Sequence, residues 1–357
     1  MSKYEQCFPG LVILFGSGET SPSGRKIFEE VFKNLPANPR VEILETPAGF
    51  ELNSSQVAGR VGDFLEQHLK NYQPQISILP ARRRGTSLSP DNPEVVAPLW
   101  EADLVFMGPG SPTYTVSQLR NSFAWQILQA RHRLGMSIAL ASAATIAIGA
   151  YAIPVYEIYK VGEDIHWKEG LNLFRPYGLS LVFVPHWNNN DGGDELDTSR
   201  CFMGKARFDP LLEILPRDVT VVGIDERTGL LFDLVNQVCY VIGPGEVTLL
   251  IQDKIKSFKS GMTFAFTDLG DFRYPQPAEG ISREVWDQAV IKQKSRENPV
   301  SPSEKILGLV KERELARSCE NWQFADELRE KILEMGWRVV DTEDGPVLKV
   351  VNRVTDK

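Results

Sequence analysis

Ser142, His186 and the acidic pair Asp225-Glu226 are the residues of this chain whose types and surroundings suit covalent chemistry. Each follows a short apolar run: Ser137–Ala141 before Ser142, Leu181–Pro185 before His186, and Val221–Ile224 before Asp225. A serine hydroxyl is a weak nucleophile until an imidazole takes its proton, and a carboxylate holds that imidazole in the right tautomer. A serine where a buried strand turns into a buried helix projects into a cleft, and the next N–H, that of Ala143, can meet a developing oxyanion. A second donor could come from Gly108-Pro109-Gly110-Ser111-Pro112-Thr113, whose glycines and prolines fix an unusual backbone path. Singly, these features read as a packing serine, a structural histidine, a solvated acidic turn and a rigid loop. Together they suggest a nucleophile, a base and an acid at three strand ends.

Three other segments invite a site. Gly16-Ser17-Gly18-Glu19 lets the backbone approach a ligand before a helix N-terminus, although Thr20 and Ser21 break the G-x-G-x-x-G pattern. Arg82-Arg83-Arg84 could meet substrate carboxylates, but an exposed basic loop explains it as well. Asn188–Asp194 offers oxygen ligands for calcium without the EF-hand spacing, so a turn is expected and no metal. No cofactor is implied.

The elements that must position these residues are legible as alternation. Leu11–Phe15, Val41–Thr46, Gln75–Leu79, Leu104–Met107 and Ser137–Ala141 are apolar on both faces, as strands of a covered parallel sheet are. Helical patterns at Gly24–Asn34, Val57–Asn71, Ser117–Leu134 and Ala143–Ile153 fall between them, giving a doubly wound, mainly parallel α/β fold. In such a sheet, ligands bind outside the C-terminal strand ends. Leu179–Val184, Val219–Gly223, Gly229–Asp233, Val238–Ile242 and Val247–Ile251 are expected to extend the sheet with an antiparallel layer. A helix at Ile281–Arg296 closes a first domain, residues 1–296. Residues 297–303, rich in proline and small polar residues, read as a linker. Residues 304–357 then form a small module, with helices at Glu304–Cys319 and Trp322–Met335. Strands Trp337–Asp341 and Val347–Val351 follow, joined by a turn at Thr342–Pro346.

The net charge of −8 over 357 residues argues against a nucleic-acid clamp, which would present a basic face. Met1–Gln6 lacks a signal-peptide pattern, and the longest apolar run, Ile138–Pro154, is interrupted by Ser142, Thr145 and Gly149. Cys7, Cys201, Cys239 and Cys319 are far apart and read as reduced thiols. The expectation is a cytoplasmic protein without a membrane span.

Residues 10 to 270 resemble the peptidase E and cyanophycinase family of serine peptidases, which has the class I glutamine amidotransferase-like architecture. The resemblance is carried by Gly16-Ser17-Gly18-Glu19, Ala102–Gly110, Ser142-Ala143, His186 and, most specifically, Gly223-Ile224-Asp225-Glu226-Arg227-Thr228. It implies Ser142 as nucleophile, His186 as base, Glu226 as the carboxylate, and the Gly110 and Ala143 N–H groups as the oxyanion hole. Gly18, Glu19, Arg200 and Arg207 become candidates for binding substrate, a small peptide or peptide-like amide. The family's nucleophile usually sits in Gly-Thr-Ser-Ala-Gly-Ala. This chain has Leu140-Ala141-Ser142-Ala143-Ala144-Thr145, so Leu140 is expected to crowd the turn. A binding protein that kept the fold without a competent turn is therefore the alternative.

Residues 315–345 resemble the C-terminal end of cysteinyl-tRNA synthetases, through Ala325-Asp326, Leu328-Arg329, Gly336 and Asp341–Gly345. The chain has neither a His-Ile-Gly-His nor a Lys-Met-Ser-Lys-Ser motif, which excludes synthetase activity. The tail has no basic stripe, so docking or homodimer formation is expected of it before RNA binding.

Overall fold

The computed structural model describes residues 8–252, 254–297, 302–342 and 345–350. Contacts divide the chain into two compact units, Met1–Lys292 and Gln293–Lys357. Met1–Gln6, read as lacking a signal-peptide pattern, Cys7, most of the linker (298–301), positions 343 and 344 of the expected turn, and Val351 lie outside the described residues.

In the large unit, β1 (Val12–Phe15), β2 (Arg40–Leu44), β3 (Gln75–Leu79), β4 (Leu104–Met107) and β5 (Ser137–Ala141) run parallel in the order β1-β5-β4-β2-β3. Side chains alternate between two cores. Ile13, Phe15, Ile43, Phe106 and Ala141 pack with α1 (Pro22–Phe32) and α2 (Ser54–His68), while Val12, Leu14, Val105, Met107 and Leu140 enter a larger core opposite. Both faces of β1, β2, β4 and β5 are dry, hence their continuous apolar runs, whereas the edge strand β3 is largely exposed. Glu42 of β2 is the departure. It is 4% exposed, and its Oε2 has no hydrogen-bond partner among the described residues.

The helical pattern read as one helix over Ser117–Leu134 is two. After α3 (Pro93–Val96) come α4 (Pro112–Leu119) and α5 (Phe123–Arg133). Asn121 turns left-handed at φ 58°, and Ser122 caps α5 by accepting the Trp125 N–H at 3.1 Å. The expected helix Ala143–Ile153 stops early, as α6 (Ala143–Ala147), and gives way to a ribbon of β6 (Tyr151–Ala152) and β7 (Lys168–Glu169).

The second-half strands do not all extend the first sheet. β10 (Gly229–Asp233), β11 (Val238–Ile242) and β14 (Thr263–Ala265) do, antiparallel beyond β1. β8 (Leu181–Val184), β9 (Thr220–Ile224), β12 (Glu246–Ile251) and the unexpected β13 (Lys254–Lys259) form a separate sheet, ordered β13-β12-β9-β8. The reason is occupancy: β5 and β10 take the two edges of β1, leaving β8 and β9 to pair with each other. The lysines of β13 suit an exposed edge strand. α7 (Gly204–Glu213) precedes β9, and the division between the units, after Lys292, falls within α8 (Arg283–Glu297).

In the small unit, α9 (Glu304–Ser318) and α10 (Trp322–Glu334) pack with the hairpin of β15 (Trp337–Thr342) and β16 (Gly345–Val350). Ser303 caps α9 and Asn321 caps α10. Ile306, Ile332, Trp337 and Val339 form the core. Beside it, the buried Arg313 grips Asp341 through two bonds of 2.8 and 2.9 Å.

Candidate active site

Ser142 joins β5 to α6 with φ 52° and ψ −116°, a conformation that costs a non-glycine residue about 1–3 kcal/mol. The surroundings hold it there. β5 is bonded on both sides, and Thr145 Oγ1 donates to the Leu140 carbonyl at 2.9 Å, with the Phe15 carbonyl at 3.3 Å. Leu140 does not crowd the turn. Strand alternation sends it into one core and Ala141 into the other, so neither side chain occupies the bend.

His186 follows β8 and is also left-handed, at φ 53°. Its Nδ1 lies 3.0 Å from Glu226 Oε1. Against an ionised Glu226, that contact puts the proton on Nδ1 and leaves Nε2 with a lone pair. The neighbouring acid is used elsewhere: buried Asp225 accepts the Glu246 N–H at 3.0 Å, and burial raises its pKa. Glu226 is therefore the carboxylate at the imidazole. No hydrogen bond joins Ser142 Oγ to His186 among the described residues.

The first-strand turn ties these loops together. Gly16 accepts the His186 N–H at 3.0 Å and donates to the Thr228 carbonyl at 2.8 Å, while Ser17 Oγ accepts the Arg227 N–H at 3.0 Å. A β-carbon on Gly16 would sit 2.0 Å from the Asp225 carbonyl oxygen, so only glycine fits. Gly110 is equally constrained: at φ 150°, its β-carbon would lie 1.9 Å from the Pro47 carbonyl oxygen. Neither the Gly110 nor the Ala143 N–H donates a hydrogen bond among the described residues, so both remain available to a ligand.

The other candidates are placed as follows. Gly18 closes the turn that caps α1, its carbonyl accepting the Ser21 N–H and hydroxyl, and Glu19 is partly exposed. The Arg200 guanidinium stacks 4.8 Å from the Trp187 ring and donates to Ser199 Oγ. Arg207 stands on the exposed side of α7. Of the arginine triplet, Arg82 pairs with buried Glu45 at 2.6 Å and Arg84 with Asp91 at 2.8 Å. Among the described residues, no cluster of three or more metal-ligating side chains forms.

The Asn-rich loop proves to be part of the site's framework. Asn189 Nδ2 donates to Glu226 Oε1 at 2.9 Å, and Asn188 Oδ1 accepts the Glu226 N–H at 2.8 Å. The sequence reading saw a turn and missed these contacts. The available signal was a run of three asparagines, Asn188–Asn190, one residue beyond the histidine. Arg200, Cys201 and Phe202 follow as three left-handed residues, with φ of 54°, 57° and 66°. Burial, then the Glu226 charge, push the Cys201 thiol up to about 12, so it stays protonated and is no rival nucleophile.

A solved structure of a peptidase from an acI-B1 Actinobacterium matches with a TM-score of 0.58 at 22% identity, covering 74% of this chain and 100% of that chain. The likeness establishes an α/β fold shared with that peptidase. Cysteine–tRNA ligase of Methanosarcina mazei is 46% identical over 44 residues, and that of Chlamydia pneumoniae 48% identical over 46. The matches cover 12% and 13% of this chain but 9% and 10% of the ligases, so the chain spans about a tenth of the length of the curated relatives it matches. They fit the resemblance of the C-terminal tail. No model of a known protein family matches the chain. Among the described residues, no helix is long and apolar enough to cross a membrane.

Proposed function

We propose that the large unit is a serine-dependent hydrolase of amide bonds in small peptides or peptide-like substrates. The observation that carries this reading is the strained Ser142 at the strand-to-helix turn, φ 52° and ψ −116°, which a packing serine does not need. In the reaction, Ser142 Oγ attacks the amide carbon as its proton passes to His186 Nε2. Glu226 keeps the imidazole oriented and offsets its charge. The Gly110 and Ala143 N–H groups hold the oxyanion. His186 then gives the proton to the departing amine, and water, activated by the same imidazole, releases the acid.

Such hydrogen bonds are often long or misaligned before substrate binds, so the lack of a Ser142–His186 bond does not exclude the base. It does favour a second reading, a binding protein on the same fold. A serine-directed phosphonate distinguishes the two: covalent labelling of the wild type, lost in Ser142→Ala, supports the hydrolase. A wild type that never labels and cleaves no amide leaves only the binding protein. The tail, with residues 297–303 as its linker, serves in this reading as a docking or dimerisation element of a cytoplasmic enzyme.

A further inference from the structure

We propose that Asn189 is a positioning residue of this site: it fixes the Glu226 carboxylate and, through it, the tautomer and plane of His186. The inference rests on the hydrolase reading. Asn189 is 3% exposed in a loop whose neighbours Asn188 and Asn190 are exposed. Both ends of its amide are engaged. Oδ1 accepts the Asp191 N–H at 3.2 Å and Nδ2 donates to Glu226 Oε1 at 2.9 Å, which settles which way the amide faces. Glu226 Oε1 thus receives two donors, Asn189 and His186, and is held at the point where it meets the imidazole.

A glutamate needs this more than an aspartate would. It has one more rotatable bond, its terminal torsion is broad, and the Glu226 side chain is 32% exposed. Asn188 fixes the Glu226 backbone and Asn189 its carboxylate. The loop returns to the same place, where the His186 carbonyl accepts the N–H groups of both Asn189 and Cys201 at 3.2 Å. The Phe202 ring stands 5.8 Å from the His186 ring. Left-handed backbone is strained for a non-glycine residue. Three in succession beside the imidazole are retained strain of the kind that collects at functional sites.

A merely structural Asn189 would need only its turn bond to Asp191, which an aspartate also makes. The donor to Glu226 is what asparagine adds. Asn189→Asp keeps volume and turn while setting a second carboxylate against Glu226, and Asn189→Ala removes both functions. Full-length variants would be compared for kcat and KM on a dipeptide amide. The downfield proton resonance of His186 Nδ1, identified by its loss in His186→Gln, would be followed alongside. Both variants should lose about 100-fold in kcat, the scale of a small misplacement. KM should change little, and the Nδ1 resonance should move or broaden. Retention of wild-type kcat in Asn189→Asp, or a loss confined to KM, overturns the proposal in an active enzyme. If the wild type neither cleaves nor labels, the hydrolase reading fails by itself. The resonance then decides whether Asn189 holds the His186–Glu226 pair: displaced in Asn189→Asp it does, unmoved it does not.

Discussion

Ser142 and His186 both occupy backbone conformations that glycine would hold with less strain. Selection for packing alone has no use for a serine there, so in the hydrolase reading the residue trades stability against chemistry. Ser142→Gly should therefore raise stability by about 1 kcal/mol while removing all amidase activity. Ser142→Ala should remove activity with a change of about 1 kcal/mol or less, since no large cavity opens. Thermal unfolding of the two variants beside the wild type checks both. A Ser142→Gly protein less stable than Ser142→Ala would mean the bend is not strained. Ser142 and His186 could be read at strand ends because apolar runs stop there. The resemblance pointed to Glu226 rather than Asp225, and the fold gives the physical reason: Glu226 meets the imidazole while Asp225 accepts the Glu246 N–H. Thr145 was legible only as part of a helix, although its hydroxyl ties down the turn.

Strand β2 carries the clearest conflict between an element and its side chain. Burial pushes the Glu42 carboxyl up to about 7, with the Arg40 charge opposing. Its ordinary value near 4.5 applies to the unfolded chain, so the folded state binds the proton more tightly. Stability is then fullest below about pH 4.5 and falls as pH rises toward 7, by up to roughly 3 kcal/mol from this group. Glu42→Gln should flatten that dependence and stabilise the protein at pH 8. Denaturant midpoints measured between pH 5 and 8 would show it, and parallel curves for the two proteins would refute it. β1, β2, β4 and β5 were readable because both faces are mostly apolar, a pattern helices with one wet face do not share, and β3 by its alternation of Ile76 and Ile78 with polar residues. The separate sheet was not. The runs forming β8, β9 and β12 look like those forming β10 and β11, and only pairing partners distinguish them. Ser117–Leu134 was read through its break because Arg120-Asn121-Ser122 interrupts the helical period for only three residues.

At the scale of the whole chain, two compact units imply two folding entities. Cutting within residues 297–303 should leave the large unit with an unchanged unfolding midpoint. Aggregation of the truncated protein would instead mean that the tail covers its core surface. The tail's fold leans on Arg313 and Asp341, whose hydrogen bonds hold the Asp341 carboxyl down to about 2. That contribution is present above the ordinary aspartate value and fades as pH falls toward 2. The excised tail should remain folded at neutral pH and show no binding to tRNA at physiological salt. Submicromolar binding would reassign it. In the tail, α10 was legible because an apolar periodicity and the Gly336 stop agree there, while α9, with little one-sided periodicity, was bounded by the proline-rich segment before it.

Gly16 makes the large unit a gauge of its own assembly. Ser142 follows a strand of one sheet and the His186–Glu226 pair follows strands of the other, and the glycine backbone bridges them. Sliding one layer over the other by an ångström would separate Ser142 from the His186–Glu226 pair, and so the groups of the proposed reaction, while leaving every strand intact. Reactivity toward the phosphonate should therefore vanish at a lower denaturant concentration than the far-ultraviolet circular dichroism signal, with Gly16→Ala widening the gap. Coincident midpoints in both proteins would mean that the layers part only when the whole unit melts.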